Sequence, residues 1–258
     1  MDAFEVIKKR ISCRAFSEDD IEREKIEKLI ACIERINEET GLHFQIYTGL
    51  MKNESVIKLP RSMFDGKVFW YAALVGGEDE ISAEKVGYYG EELVLLATSL
   101  GLGTCWVGGT YDRNSINPDI APGEKLWCVI PIGYPAKKTP MKQRLIRDGL
   151  RKKSPAPEKM VEGDTAFQDL PEWVKAGVQA VIDGPSAINK LPVRLTCEEN
   201  NYFMRIYKEN KGFEWNDLGI AKYQFWYAAN ALDVHGVWDW GSGGEFQIKA
   251  QPLEDLYQ

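Results

Sequence analysis

Near its start the chain reads Lys8-Lys9-Arg10-Ile11-Ser12-Cys13-Arg14, and the two-residue spacing of Arg10, Ser12 and Arg14 turns all three toward one side of an extended segment. Such a set suits an oxyanion. Each guanidinium fork makes charge-assisted bonds of roughly 1.5–3 kcal/mol, and the hydroxyl adds a donor. Lys142 and Arg144, again two apart, could join the same anion. Gly184-Pro185-Ser186-Ala187-Ile188-Asn189 offers Ser186, the backbone at Ala187 and Asn189 as short polar groups just after a helix, although an Asx or ST turn without a ligand has the same composition. Finally, Gly101 to Gly109 is glycine-rich enough for backbone to approach a flat ring closely. Gly101-x-Gly103 opens like a dinucleotide fingerprint, but Trp106 stands where the third glycine belongs and the segment follows a helix rather than a strand. The bland alternatives are solvated charges for the four cations and a helix end with its loop for the glycine-rich run.

Other chemistries find little material. The two histidines, His43 and His235, are far apart and lack any HExxH or nucleophile-elbow context, so a Ser/His/Asp hydrolase is disfavoured and a cofactor is the expected source of any chemistry. Cys13, Cys32, Cys105, Cys128 and Cys197 are odd in number and form no CxxC pair, which signals neither a disulfide framework nor zinc. A net charge of −7 disfavours nucleic acid, leaving the basic residues 137–153 as the one local patch of interest. No apolar run is long enough for a membrane span, and acidic Asp2 and Glu5 stand where a signal peptide would be basic, so a soluble, cytoplasmic protein is expected.

These groups need elements to position them. Residues 21–36 place Ile26, Leu29, Ile30, Ile33 and Ile36 on one helical face, while 42–49 and 68–77 read as strands. A second helix is expected from Ser82 as its cap to Gly101 and Gly103 at its end, followed by a buried strand over 126–135. Residues 136–160, with eight Lys or Arg against one Asp between Lys137 and Lys153, read as a linker. Beyond it the pattern restarts: Gly87, Ala97, Leu100, Trp106 and Gly109 meet Gly219, Ala229, Leu232, Trp238 and Gly241 at a constant offset of 132 residues. A weaker echo sets residues 26–49 beside 173–198. The expected organisation is an α+β chain of two degenerate halves, 1–158 with the cationic hook and 159–258 with the polar turn, each lacking what the other has.

The hook Arg10-x-Ser12-x-Arg14-x-Phe16, the segment GLGTCWVGG, the IGYP strand followed by Lys142-x-Arg144, and the turn GPSAIN-x-x-P together resemble the FMN-dependent nitroreductase superfamily over most of the chain. The resemblance implies an α/β/α sandwich around a mainly antiparallel sheet, and, because the turn occurs only in the second half, the subgroup in which one polypeptide folds as a pseudo-dimer. It implies that Arg10, Ser12, Lys142 and Arg144 hold the FMN phosphate and that Arg14 leans toward the flavin pyrimidine edge. Trp106, Val107, Gly108 and Gly109 would line the ring near N5, with Pro185, Ser186, Ala187 and Asn189 contacting its pyrimidine and ribityl side from the other half. Ala187, Leu191 and Val193 depart from the family's usual Ser, Gln and Trp.

The implied activity is transfer of a hydride from NADH or NADPH through FMN to a nitroaromatic or quinone in ping-pong order. An FMN-binding protein without turnover, a flavin store or redox sensor, is the alternative. The expected state is a monomer with internal pseudo-two-fold symmetry, holding one FMN.

Overall fold

The structure, a computed structural model, describes residues 1–49, 55–137 and 154–249. Helix α1 (Ala3–Lys9) is capped by Asp2, whose carboxylate accepts from Glu5 N at 2.8 Å, and buries Val6 and Ile7. Helix α2 (Arg23–Thr40) buries Ile26, Leu29, Ile33 and Ile36 of the anticipated stripe and leaves Ile30 half-buried, and Gly41 ends it in the left-handed region. Strands β1 (His43–Thr48) and β2 (Trp70–Gly77) follow. Helix α3 (Glu80–Ser99) starts one turn earlier than the sequence suggested: Asp79 is the cap, accepting from Ser82 N at 2.9 Å, so Ser82 lies inside the helix. A carboxylate there also suits the positive end of the helix. Gly101 turns the chain at its end, while Gly103 already belongs to β3 (Gly103–Thr104).

Strand β4 (Glu124–Gly133) completes an antiparallel sheet in the order β1-β2-β4-β3. The second half repeats this plan. Helix α4 (Glu172–Asp183), β6 (Val193–Glu198), β7 (Asn201–Ile206), α5 (Glu214–Asn230), β8 (Gly236–Trp238) and β9 (Gly244–Ile248) form a sheet in the order β6-β7-β9-β8. Only β5 (Val161–Gly163), paired in parallel to β6, is extra. The strands therefore lie in two sheets, one per half.

Between the sheets α3 and α5 cross at glycine. A Cβ on Gly87 would lie 2.0 Å from Asn216 O, and one on Gly219 would lie 1.9 Å from Glu84 O. Each contact is the other shifted by the same 132 residues, so the crossing itself is reciprocal. Both helices are buried nearly all round, which is why neither shows a clean amphipathic stripe.

Candidate functional site

The cationic segment begins where α1 stops. Arg10 leaves helical geometry with φ −61° and ψ 111°, and the chain runs extended across the end of β3: Ser12 bridges Thr104, and Cys13 N donates to Thr104 O at 2.7 Å. Gly103 is required here, since a Cβ would lie 2.7 Å from the Cys13 side chain. The alternation holds only over residues 12–15, since Ile11 is exposed and Phe16 buried. Cys13 and Ala15 are buried, whereas Ser12 and Arg14 are half-buried.

The turn is built by the other half. Ser186 Oγ accepts from Leu191 N at 2.9 Å, and Ile188, Asn189 and Leu191 all have positive φ, at 50°, 54° and 44°. A β-branched residue there is a strained choice and needs external support. Helix α5 and the loop before it supply that support. Asp217 accepts from Ala187 N at 2.8 Å and from Asn210 Nδ2 at 2.7 Å, and Asn210 Nδ2 also donates to Ala187 O at 2.9 Å. Burial pushes the Asp217 carboxyl up to about 6, against these hydrogen bonds, which lower it.

Hook and turn meet in one cleft of about 280 Å³, which brings Arg10, Ser12 and Arg14 together with Ile182, Gly184 and Asn189. Lys8 and Asp183 also line it, so cations outnumber acids on its wall. Arg10 Nη2 donates to Asp183 O at 2.9 Å and thereby ties the hook to the end of α4. Pro185, Ser186 and Ala187 do not line it. A smaller hollow of about 150 Å³ lies beside the hook, lined by Lys9, Cys13, Arg14, Thr98 and Pro135 among others. Lys142 and Arg144 lie outside the described residues, as does most of the expected linker.

The glycine-rich segment is placed through its neighbours and does not line the cleft. Val107 pairs with Val129, Gly108 lies against the Phe213 ring just before α5, and Gly109 is open, with no atom within 4 Å of where a Cβ would stand. The start of α5 therefore steadies both this segment and the turn. Trp106 Nε1 donates to Glu91 Oε2 at 2.9 Å. Glu91 is fully buried on α3, its other oxygen accepting from Gln224 Nε2 at 2.7 Å and lying 3.9 Å from Arg10 Nε; burial pushes it up to about 7. Sequence reading missed Glu91, Gln224 and Asp217. A signal existed for Glu91: Glu84, Gly87 and Glu91, spaced three and four apart, share one face of a helix otherwise too apolar to leave acids exposed there.

The second half does not repeat the site. Lys222, the counterpart of Gly90, is wholly buried and bonds Glu84, Asp239 O at 2.8 Å and Gly241 O at 2.9 Å, while Gly241 N donates to Glu84 Oε2 at 2.6 Å. Asp239 and Gly241 are the counterparts of Val107 and Gly109. Gly109 is open in the first half, whereas its counterpart Gly241 is held through both its N–H and its carbonyl. All five cysteines are free thiols, and burial pushes Cys13 and Cys128 up to about 12, so they are not poised as nucleophiles.

No curated protein matches the chain. Among solved structures it is similar to a "putative nitroreductase" of Thermotoga maritima MSB8, with a TM-score of 0.63, 20% identity, and 98% of this chain and 95% of that one covered, which establishes the fold. An FMN-dependent nitroreductase of Clostridium difficile R20291 (TM-score 0.41, 21% identity, 53% of this chain and 89% of that one) is a more distant likeness. So is a nitroreductase with bound FMN from Bacteroides fragilis NCTC 9343 (0.40, 19%, 55% and 92%). The family model described as "Putative TM nitroreductase" matches residues 2–229, and the chain belongs to that nitroreductase family.

Proposed function

We propose that the protein is an FMN-dependent NAD(P)H oxidoreductase in which the cleft shared between the two halves of one chain takes the flavin. The observation that carries this is the meeting of the Arg10-Ser12-Arg14 hook with Gly184 and Asn189 on one wall. The donor set fits a phosphate ester: two guanidinium groups, a hydroxyl and a neighbouring lysine, against the one carboxylate of Asp183. A bound flavin would supply the two-electron chemistry, accepting a hydride from NADH or NADPH and passing it to a nitroaromatic or quinone acceptor.

The chain's own work is positioning. Arg10 and Arg14 would neutralise the phosphate, and Arg14, further along the hook, would add positive charge toward the ring. Gly109 has open space at its Cβ but does not line the cleft, so a ring-side role for it would need the ligand to extend beyond the cleft. The turn, held by Asp217 and Asn210, would present Asn189 from the second half. The hold of Lys222 and Glu84 on Gly241 supports one flavin per chain, with the two halves standing where two subunits would otherwise meet. Lys142 and Arg144 are further candidate phosphate ligands.

The test is the absorption spectrum of purified protein supplied with FMN and then freed of excess, followed by NADH and NADPH oxidation with nitroaromatic and quinone acceptors. Retained flavin with acceptor-dependent turnover is expected. Retained flavin without turnover would make the protein a flavin carrier, and no retained flavin would overturn the reading.

A further inference from the structure

We infer that Glu91 is a positioning residue that shares Arg10 with the ligand's phosphate, so that filling the cleft with an anion is coupled to uptake of a proton by the Glu91 carboxylate. The inference rests on the reading of the cleft as a phosphate-ester site.

The geometry is specific. Glu91 has no exposed surface and stands where three parts of the site converge: Arg10 from the end of α1, Trp106 from the segment after β3, and Gln224 from α5. Trp106 and Gln224 bind it with ordinary hydrogen bonds of 2.9 and 2.7 Å. Arg10 does not: its Nε is 3.9 Å from Oε1, a loose ionic contact, while its Nη2 is bonded to Asp183 O. Arg10 is also in the wall of the cleft. One guanidinium therefore faces a buried carboxylate on one side and the candidate phosphate site on the other.

Among the described residues, the neighbouring charged groups on α3, α4 and α5 have partners of their own. Lys222 of α5 is engaged with Glu84, and Glu92, next along α3, pairs with Arg35 of α2. The Asp183 carboxylate accepts from Gln179 within α4. Cys105, near both hook arginines, is kept neutral by burial. Burial raises Glu91 and Arg10 lowers it, leaving the carboxyl at about 7. A phosphate dianion brought to Arg10 both draws the guanidinium's field away from Glu91 and adds negative charge nearby. Each effect raises the proton affinity of Glu91. In the other direction, ionised Glu91 competes with the ligand for Arg10, and protonated Glu91 releases it. Gln at this position would keep an acceptor for Trp106 Nε1 but could not compete by charge.

The experiment is calorimetric titration of the flavin-free full chain with FMN near pH 7, in buffers of differing ionisation enthalpy, on the wild type and Glu91→Gln. Protonation of the FMN phosphate is common to both and cancels in the difference. The wild type should take up more protons per FMN than the variant, since filling the cleft raises the proton affinity of the Glu91 carboxylate and Gln has no proton to take up. Accordingly, the ratio of wild-type to variant Kd should rise between pH 6 and pH 8. Gln224→Leu, which removes one donor to the carboxylate and leaves Arg10 and Glu91 in place, should move that rise to higher pH. Equal proton numbers and a pH-independent Kd ratio would show Glu91 to be merely structural, overturning the inference while leaving the cleft's assignment intact. Failure of the wild type to bind FMN at all would overturn the assignment and the inference with it.

Discussion

Replacing Gly219 with Ala tests the junction of the two halves. An added Cβ would stand 1.9 Å from Glu84 O and 2.6 Å from Tyr88 N, both backbone atoms of α3 that no rotamer change can move aside. Ordinary contact requires at least 3.4 Å, so the helices must separate by more than an ångström along an interface that also carries the Lys222–Glu84 and Gln224–Glu91 contacts. Overpacking of a close-packed core costs roughly 1–3 kcal/mol, and here the loosened buried polar contacts add to it. Alanine's better helix propensity returns about 1 kcal/mol. A net loss of about 3 kcal/mol is expected, which at about 2–4 °C per kcal/mol for a chain of this size lowers Tm by roughly 6–12 °C. Gly109→Ala, whose Cβ meets nothing within 4 Å, is the control and should leave Tm within about a degree or two. Thermal unfolding followed by circular dichroism measures both. A Gly219→Ala variant as stable as the control would refute the close crossing of the two helices.

Lys222→Met should destabilise by about 3–5 kcal/mol in chemical denaturation, because it strands the Glu84 carboxylate in the core; adding Glu84→Gln, which keeps an acceptor for Gly241 N, should recover much of that loss. Asp217→Asn should loosen the turn, since Ala187 N and Asn210 Nδ2 bond different carboxylate oxygens and the amide puts an NH2 donor in place of one of them. The same variant reports pH linkage. Because the Asp217 carboxyl sits at about 6, above its ordinary 3.8, the ionised folded form is penalised. Wild-type stability relative to the variant should therefore rise as pH falls from 7 to 4, by up to about 3 kcal/mol, and a flat difference would contradict the burial argument. Arg10→Ala combined with Arg14→Ala should abolish FMN retention, and wild-type Tm should climb with added FMN, equivalent to about 2.7 kcal/mol at a hundredfold excess over Kd.

Much of the fold was legible where periodicity was strong. The α2 stripe, β1, β2, β4 and the repeat at offset 132 could all be read because each leaves an apolar pattern or paired Gly and Trp positions. Helix α1 was not read, since seven residues give too little periodicity, and the cap at Asp79 was displaced onto Ser82 because both are good capping types three residues apart. The hook and turn were legible as chemistry, and the structure brings Arg10, Ser12, Arg14 and Asn189 to one wall. What the chain's linear order could not show is the polar layer between α3 and α5. Glu91 and Gln224 are 133 positions apart and become partners only through the helix crossing. Asp217 likewise reaches back 30 positions to fix Ala187.

Whether one chain builds one flavin site from its two halves is tested most directly by the stoichiometry of FMN binding to flavin-free protein, with the molar mass of the complex determined by light scattering. One FMN per chain on a species of one chain is expected, with binding lost in the hook double variant. Two FMN per chain, or flavin bound only by a species of two chains, would contradict it.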